Sequence, residues 1–438
     1  MILIETIYYH IDVNSAFLSW EAVYRTKILG ETLDFRQIHS VIGGNEKSRH
    51  GIVLAKSVPA KRFRIQTGEP LMSARQKCPD LVVVPPNYPM YVEASRALIK
   101  LLEKYSPNVQ QYSIDEAFMD MTGTVRLFGS STAAAAIIKD HIEEELGFTV
   151  NIGISNNKLL AKMASDFKKP NLIHTLFPSE IPEKLWPIPV SELFFVGRRT
   201  AAKLHNLGIN TIGDIAKTDR HLLHSIFKSH GDMIWEFANG IAIQIDKVTL
   251  NPVNKGYGNS ITMPFDVTDA DTAKLVMLSL TETVGTRMRA DGAFISVVSV
   301  SLVDCDFNHS SRQMTLVSAT DITNQIYDAA CQLFDQLWDG APIRQLGVHT
   351  SKAIQNSMYQ YSFFDRLDID KLSRLDSAVD SIRGRYGEDA IMRASFLNHN
   401  KTGKITHMSG GLDKARRTGM TQTVGSSFHM ICSSSIIF

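Results

Sequence analysis

The sequence predicts an α+β chain of several domains, and three observations carry that reading. Up to residue 172 the elements read β-α … α-β-β-α-β-α, an order that suggests a mixed layer built on an antiparallel sheet. From Ile173 the character changes, and Pro178, Pro182, Pro187 and Pro189 punctuate short, mostly helical pieces up to Gly240. Residues 257–355 then alternate strands with long helices, a second α+β unit. With 438 residues there is room for about three domains of roughly 150 residues each.

Each element follows from its local pattern. Residues 5–12 alternate loosely and end in "YYHID", a strand, and Phe17, Trp20/Glu21 and Tyr24 then recur at helical spacing. "DLVVVPP" (80–86) closes a basic segment, and residues 90–105 are amphipathic and helix-like. "YSIDEAFMDM" (112–121) predicts a hairpin, with strands 109–114 and 117–121 and two adjacent acids at the turn. "SSTAAAAIIKDHIEEELGF" has serine and threonine before an alanine-rich run and Gly147 after it, the start and stop signals of a helix. "TVNIGIS" is a strand and "NKLLAKMASDF" a helix. Beyond the polar stretch 241–256, strands are predicted at 294–302 and 343–351, and helices at 270–290, 321–337 and 368–386.

Composition excludes several classes. No apolar run approaches the roughly 18 residues of a membrane helix. The N-terminus lacks a basic region and is broken by Glu5 and His10, so no secretory signal is expected. Cys78, Cys305, Cys331 and Cys432 lie far apart with no C-x-x-C pair, which fits a reducing, cytoplasmic setting. The net charge of +1 hides an asymmetry. Residues 25–84 carry 11 Lys+Arg against 5 Asp+Glu, or +6, whereas residues 257–355 carry 6 against 11, or −5. A local basic excess is what attracts a polyanion.

Four groups of residues bear chemistry. Asp12 ends a predicted strand, and Asp115 and Glu116 sit on the hairpin. If both belong to one sheet, three carboxylates converge, and such a cluster calls for hard cations such as Mg²⁺ or Mn²⁺. Lys158 and Lys162, four apart, share a helix face, with Lys158 at the helix start. Lys56, Lys61, Arg62 and Arg64 form a basic segment suited to a triphosphate. "FFVGRRTAAKLHNLGINTIGDIAK" (194–217) has the make-up of a helix-hairpin-helix, whose backbone N–H groups can hold a DNA phosphate. Each group taken singly is as readily a solvated turn, a surface charge or an ordinary helical hairpin.

Taken together, "HIDVNSAF", "GIVLAKSVPAK", "YSIDEAFMDMT" and "GISNNKLLAKMAS", in that order and spacing, resemble the Y-family translesion DNA polymerases, in particular the bacterial UmuC-like branch. The resemblance covers roughly residues 5 to 355, where "IRQLGVHTSKAI" is similar to the end of the family's little-finger domain. It implies a right-hand polymerase with a ferredoxin-like palm (1–24 and 85–172), small fingers (25–84), a helical thumb (173–240), a linker (241–256), a little finger (257–355) and a C-terminal tail (356–438). It implies that Asp12, Asp115 and Glu116, with the carbonyl of Val13, bind two Mg²⁺ ions, for which Mn²⁺ can substitute. Phe17 falls at the steric-gate position, and Lys61 and Lys158 would meet the incoming deoxynucleoside triphosphate. Gly197, Arg198, Arg199, Lys203 and Gly208 would hold primer-template DNA.

The chain also departs from the family pattern. Val58-Pro59-Ala60-Lys61 stands where many members have Tyr-x-x-Arg, so a point charge replaces a bidentate fork. The thumb hairpin reads "FVGRRT" instead of Gly-x-Gly, and the little finger is net acidic, which raises dependence on a tether. "QYSFF" (360–364), with Gln360, Phe363 and Phe364, resembles the peptide that docks bacterial polymerases on the sliding clamp. The implied activity is low-fidelity synthesis past damaged bases by a monomeric core in the cytoplasm, at the nucleoid, with accessory proteins of the SOS response as further partners. A nucleotide cyclase on a similar palm would need neither thumb nor DNA-binding region. A catalytically silent DNA-binding subunit would not need all three acids.

Overall fold

The computed structural model describes residues 6–44, 51–241, 254–355 and 369–396. They divide into a first unit ending at residue 241 and a second beginning at residue 254.

The first unit opens with strand β1 (Tyr8–Val13), which passes through a two-residue turn into helix α1 (Ala16–Val23). A three-stranded sheet follows, of β2 (Ser40–Gly43), β3 (Val53–Lys56) and β4 (Val82–Val84) in the order β3-β2-β4, with the short helices α2 (Val58–Lys61) and α3 (Leu71–Lys77). Then come α4 (Tyr88–Leu102), β5 (Val109–Gln111), β6 (Glu116–Asp120), α5 (Ser131–Leu146), β7 (Val150–Ser155), α6 (Lys158–Ser165) and β8 (Ile173–Thr175). The main sheet has the order β5-β6-β1-β7-β8, with β1 antiparallel to both neighbours.

Alternation along the strands decides what each face of this sheet does. One set, Tyr9, Ile11, Val13, Ala117, Met119, Ile152 and Ile154, is buried against Tyr91 and Leu98 of α4 and Ile138 and Ile142 of α5. The other set, His10, Asp12, Glu116, Phe118, Asn151 and Gly153, faces α6. Helix α6 carries two different faces. Lys158, Lys162 and Ser165 point to the sheet, while Leu159, Leu160, Met163 and Ala164 join the core of the helical region beyond.

That region holds α7 (Arg198–Asn206), α8 (Ile212–Lys217), α9 (Arg220–Phe227) and α10 (Ser229–Ala238). Thr211 and Asp214 cap α8 reciprocally.

The second unit has the sheet order β11-β10-β12-β9, formed by β9 (Gly258–Val267), β10 (Ala293–Asp304), β11 (His309–Thr320) and β12 (Ile343–Ser351). A short β13 (Ile354–Gln355) pairs antiparallel with the start of β10. Helices α11 (Ala270–Ala290) and α12 (Thr323–Leu337) bury its inner face. Helix α13 (Ile369–Tyr386), expected at 368–386, docks on α11 through ion pairs. Arg289 meets Asp376 and Asp380, and Glu282 meets Arg383 and Arg393.

The hairpin differs in detail from the sequence expectation. Its first strand stops at Gln111 and its second starts at Glu116, one residue early, because Tyr112 N–H already closes on the Glu116 carbonyl at 2.9 Å. Asp115 therefore lies in the turn and Glu116 on the strand. Among the described residues, no helix is long and apolar enough to cross a membrane.

Candidate active site

Strand register assembles the acids. In the β1–β6 pair Asp12 stands directly opposite Glu116, so both side chains leave the same face of the sheet. Asp115 is tied in next to them, since Val13 N–H donates to the Asp115 carbonyl at 3.0 Å and Ser113 Oγ donates to the Asp115 carboxylate at 2.7 Å. Like charges opposed across strands repel, so the site must supply cations.

Helix α6 and the residues after it supply two. Lys162 Nζ lies 2.6 Å from Glu116 Oε1 and 3.4 Å from Asp166 Oδ2. Lys169 Nζ lies 3.0 Å from Asp12 Oδ2 and 2.9 Å from Asp166 Oδ1. The close approach of α6 depends on Gly153 of β7, where a Cβ would sit 2.0 Å from the Ala161 carbonyl oxygen. His10 lies beneath, fully buried, its Nδ1 2.7 Å from Ser165 Oγ and its ring 4.7 Å from that of Phe118.

Burial dominates the protonation of this cluster. It outweighs the nearby Lys169 cation and pushes the Asp12 carboxyl up to about 7. Asp115 is also raised, by burial first and then by the neighbouring Glu116 charge, against the Ser113 hydrogen bond. Burial works against both ammonium groups, yet their carboxylate partners hold Lys162 and Lys169 above the ordinary lysine range. The donor set is three carboxylates with no sulfur or nitrogen ligand, and its charge is held in check only by lysines. It fits hard divalent cations, which would displace Lys169 from Asp12.

The remaining expected residues fall as follows. Phe17 is half-buried, its ring stacked 4.8 Å from Tyr91 and set edge-on to Tyr88, at the meeting of two cores. Lys61 is exposed at the end of α2. Lys158 is a correction. It is 2% exposed, its Nζ donates to Gln110 Oε1 at 2.8 Å, and it lies over the Phe118 ring. It packs between α6 and the acid-bearing face of the sheet and is not presented to a ligand. The lysine that does reach the acids from outside is Lys169, which sequence reasoning passed over because it follows the helix and belongs to no periodic pattern.

Gly197, Arg198, Arg199, Lys203 and Gly208 are all exposed. Gly197 precedes α7 without a side-chain cap, leaving N–H groups at the helix start, and Gly208 takes φ +78° just after its end. The helix between these glycines is α7, which ends just before Leu207-Gly208-Ile209, and α8 follows. Gln360, Phe363 and Phe364 lie outside the described residues.

Comparison with known proteins now bears on this geometry. Residues 11–166 match the impB/mucB/samB family, residues 178–209 the HHH motif of that family, and residues 254–363 its C-terminal domain. The chain belongs to the Y family of DNA polymerases. It is 46% identical over 389 residues to DNA polymerase IV of Clostridium acetobutylicum, covering 89% of this chain and 98% of that one. DNA polymerase IV of Alkaliphilus oremlandii is 38% identical, with 88% and 98% covered. DNA polymerase IV 2 of Bacillus subtilis is 34% identical, with 90% and 95% covered. A solved Y-family DNA polymerase chimera aligns with TM-score 0.67 at 24% identity, covering 80% of this chain and all of that one, which bears on the fold. The α+β units described above are thus those of a Y-family polymerase.

Proposed function

We propose that this polymerase carries out template-directed, low-fidelity synthesis past damaged bases, joining a primer 3′-hydroxyl to the α-phosphate of a deoxynucleoside triphosphate. The observation that carries the mechanism is the register of Asp12 against Glu116, with Asp115 tied in next to them and two lysines facing the cluster. Asp12, Asp115 and Glu116, with the Val13 carbonyl, would hold two Mg²⁺ ions, or Mn²⁺ in their place. Such a pair supplies activation of the hydroxyl and neutralises charge on the leaving pyrophosphate.

The chain's own groups do the rest. Glu116 and Asp12 orient the cations, and Lys162 fixes the Glu116 carboxylate. Lys169, released from Asp12, is the cation for the triphosphate, joined by Lys61 from α2. Phe17 bars a ribose 2′-hydroxyl. The backbone at Gly197–Arg199 and Gly208, with Lys203, grips DNA phosphates without reading sequence. The family's palm, fingers, thumb and little finger correspond to residues 1–24 with 85–172, 25–84, 173–240 and 257–355. Residues 360–364, bracketed by β13 and α13, serve as the clamp-docking peptide.

The test is extension of a primed template with Mg²⁺. Asp12→Ala and Asp115→Ala are each expected to abolish it, and extension surviving either change refutes the mechanism. Templates with and without a damaged base separate bypass from ordinary synthesis.

A further inference from the structure

We propose that Asn151 is a positioning residue for the reaction: its buried amide fixes the segment 166–172 so that Lys169 stands over Asp12. The inference rests on the reading of Lys169 as the triphosphate cation.

Asn151 interrupts an apolar strand, between Val150 and Ile152, and is fully buried. A buried amide is costly unless its hydrogen bonds are made, and here they all reach one segment. Asn151 Nδ2 donates to the Ser165 carbonyl at 3.2 Å and to the Lys168 carbonyl at 2.9 Å. Asn151 Oδ1 accepts from Leu172 N–H at 3.2 Å. The amide thus binds the end of α6, the residue before Lys169 and the residue before β8. The Lys168 carbonyl is further held by His174 Nε2 at 2.8 Å.

The position is not arbitrary. Asn151 pairs with Asp12 across β1 and β7, so the residue that fixes the segment lies beside the acid its lysine meets. Asp166 completes the arrangement at the side-chain end, holding Lys169 through one oxygen and Lys162 through the other. A lysine head group on a flexible stem loses rotamer freedom when it binds. Fixing its backbone at Asn151 and its ammonium at Asp166 removes part of that loss before the nucleotide arrives.

The test is a double-variant cycle on the full chain. Single-nucleotide insertion kinetics are measured for Asn151→Ala, Lys169→Ala and the two combined, with Mn²⁺ binding to the DNA-free protein measured by calorimetry. Asn151→Ala is expected to raise KM for the nucleotide on the order of tenfold, with a smaller change in kcat. It should add little once Lys169 is gone. Both single changes should tighten Mn²⁺ binding, because each weakens the ammonium that competes for Asp12, and the double variant should bind no tighter than Lys169→Ala. Asp166→Asn, at a half-exposed position, provides a second cycle against Lys169→Ala if Asn151→Ala folds poorly. Additive effects in both cycles would overturn the proposal while leaving the role of Lys169 intact. An unchanged KM in Lys169→Ala would remove that role, and the proposal with it.

Discussion

Gly153→Ala is a one-methyl change that tests the whole chain of reasoning from sheet to site. The added Cβ would lie 2.0 Å from the Ala161 carbonyl oxygen, 2.4 Å from Ser165 N and 3.0 Å from the Ala164 Cβ. Two of these are backbone atoms of α6, so no side chain can swing aside. Ordinary contact starts at 3.4 Å, and 3.4 − 2.0 leaves 1.4 Å by which α6 must lift from β7. Overpacking of this kind costs about 1–3 kcal/mol, a fall of roughly 2–12 °C in Tm for a unit of this size. The functional loss should be larger than the stability loss. Lys162 rides on α6 and Lys169 follows it, and a displacement near 1 Å at a reacting centre can cost about 100-fold. The assay pairs thermal unfolding with single-nucleotide insertion. Gly123→Ala serves as the control, since its Cβ would meet nothing within 4 Å. If Gly153→Ala keeps its Tm within about 1 °C and its rate within about threefold of the parent, the packing of α6 does not set the site.

Four further outcomes are expected. Because burial raises Asp12 from 3.8 to about 7, the folded protein binds that proton more tightly than the unfolded chain. Asp12's contribution to metal-free stability is therefore complete below its unfolded value and is lost as pH rises through 7. The thermal shift given by Mg²⁺ should grow from about pH 6 to about pH 8, and a flat shift would contradict this. Arg289→Met leaves the buried Asp376 and the half-buried Asp380 beside α11 without their cation, so the second unit should lose about 3–5 kcal/mol. Calorimetry showing less than about 1 kcal/mol would mean that α13 is held by other contacts. Phe17→Ala should raise ribonucleotide incorporation, and unchanged sugar discrimination would reduce Phe17 to packing against Tyr91. Deleting residues 360–364 should remove stimulation by the sliding clamp and spare unaided synthesis, whereas equal stimulation without them rejects the tether.

Much of this protein is legible locally. Helix α5 announces itself with Ser130 before it, whose side chain caps Ala133 N–H, and Gly147 after it at φ +79°. The strands β1 and β7 and the helix α6 follow from alternation and spacing, and the three acids stand out because such charges sit poorly in apolar frames. What local pattern could not give is partnership across the chain. The i, i+4 spacing put Lys158 and Lys162 on one helix face, but only the packing of α6 sends Lys158 over the Phe118 ring to Gln110 and Lys162 to Glu116. Lys169 sits 157 residues from Asp12 and carries no periodic signal, and three hydrogen bonds with the Asn151 amide bring its segment there. Likewise α13 is readable as a helix, while its seat depends on Glu282 and Arg289 far upstream. By itself, then, the sequence determined the elements and the acids, because propensity, capping and alternation are local energies. The tertiary structure decided which cation meets which acid, because strand register and helix packing are fixed only when distant segments bury one another.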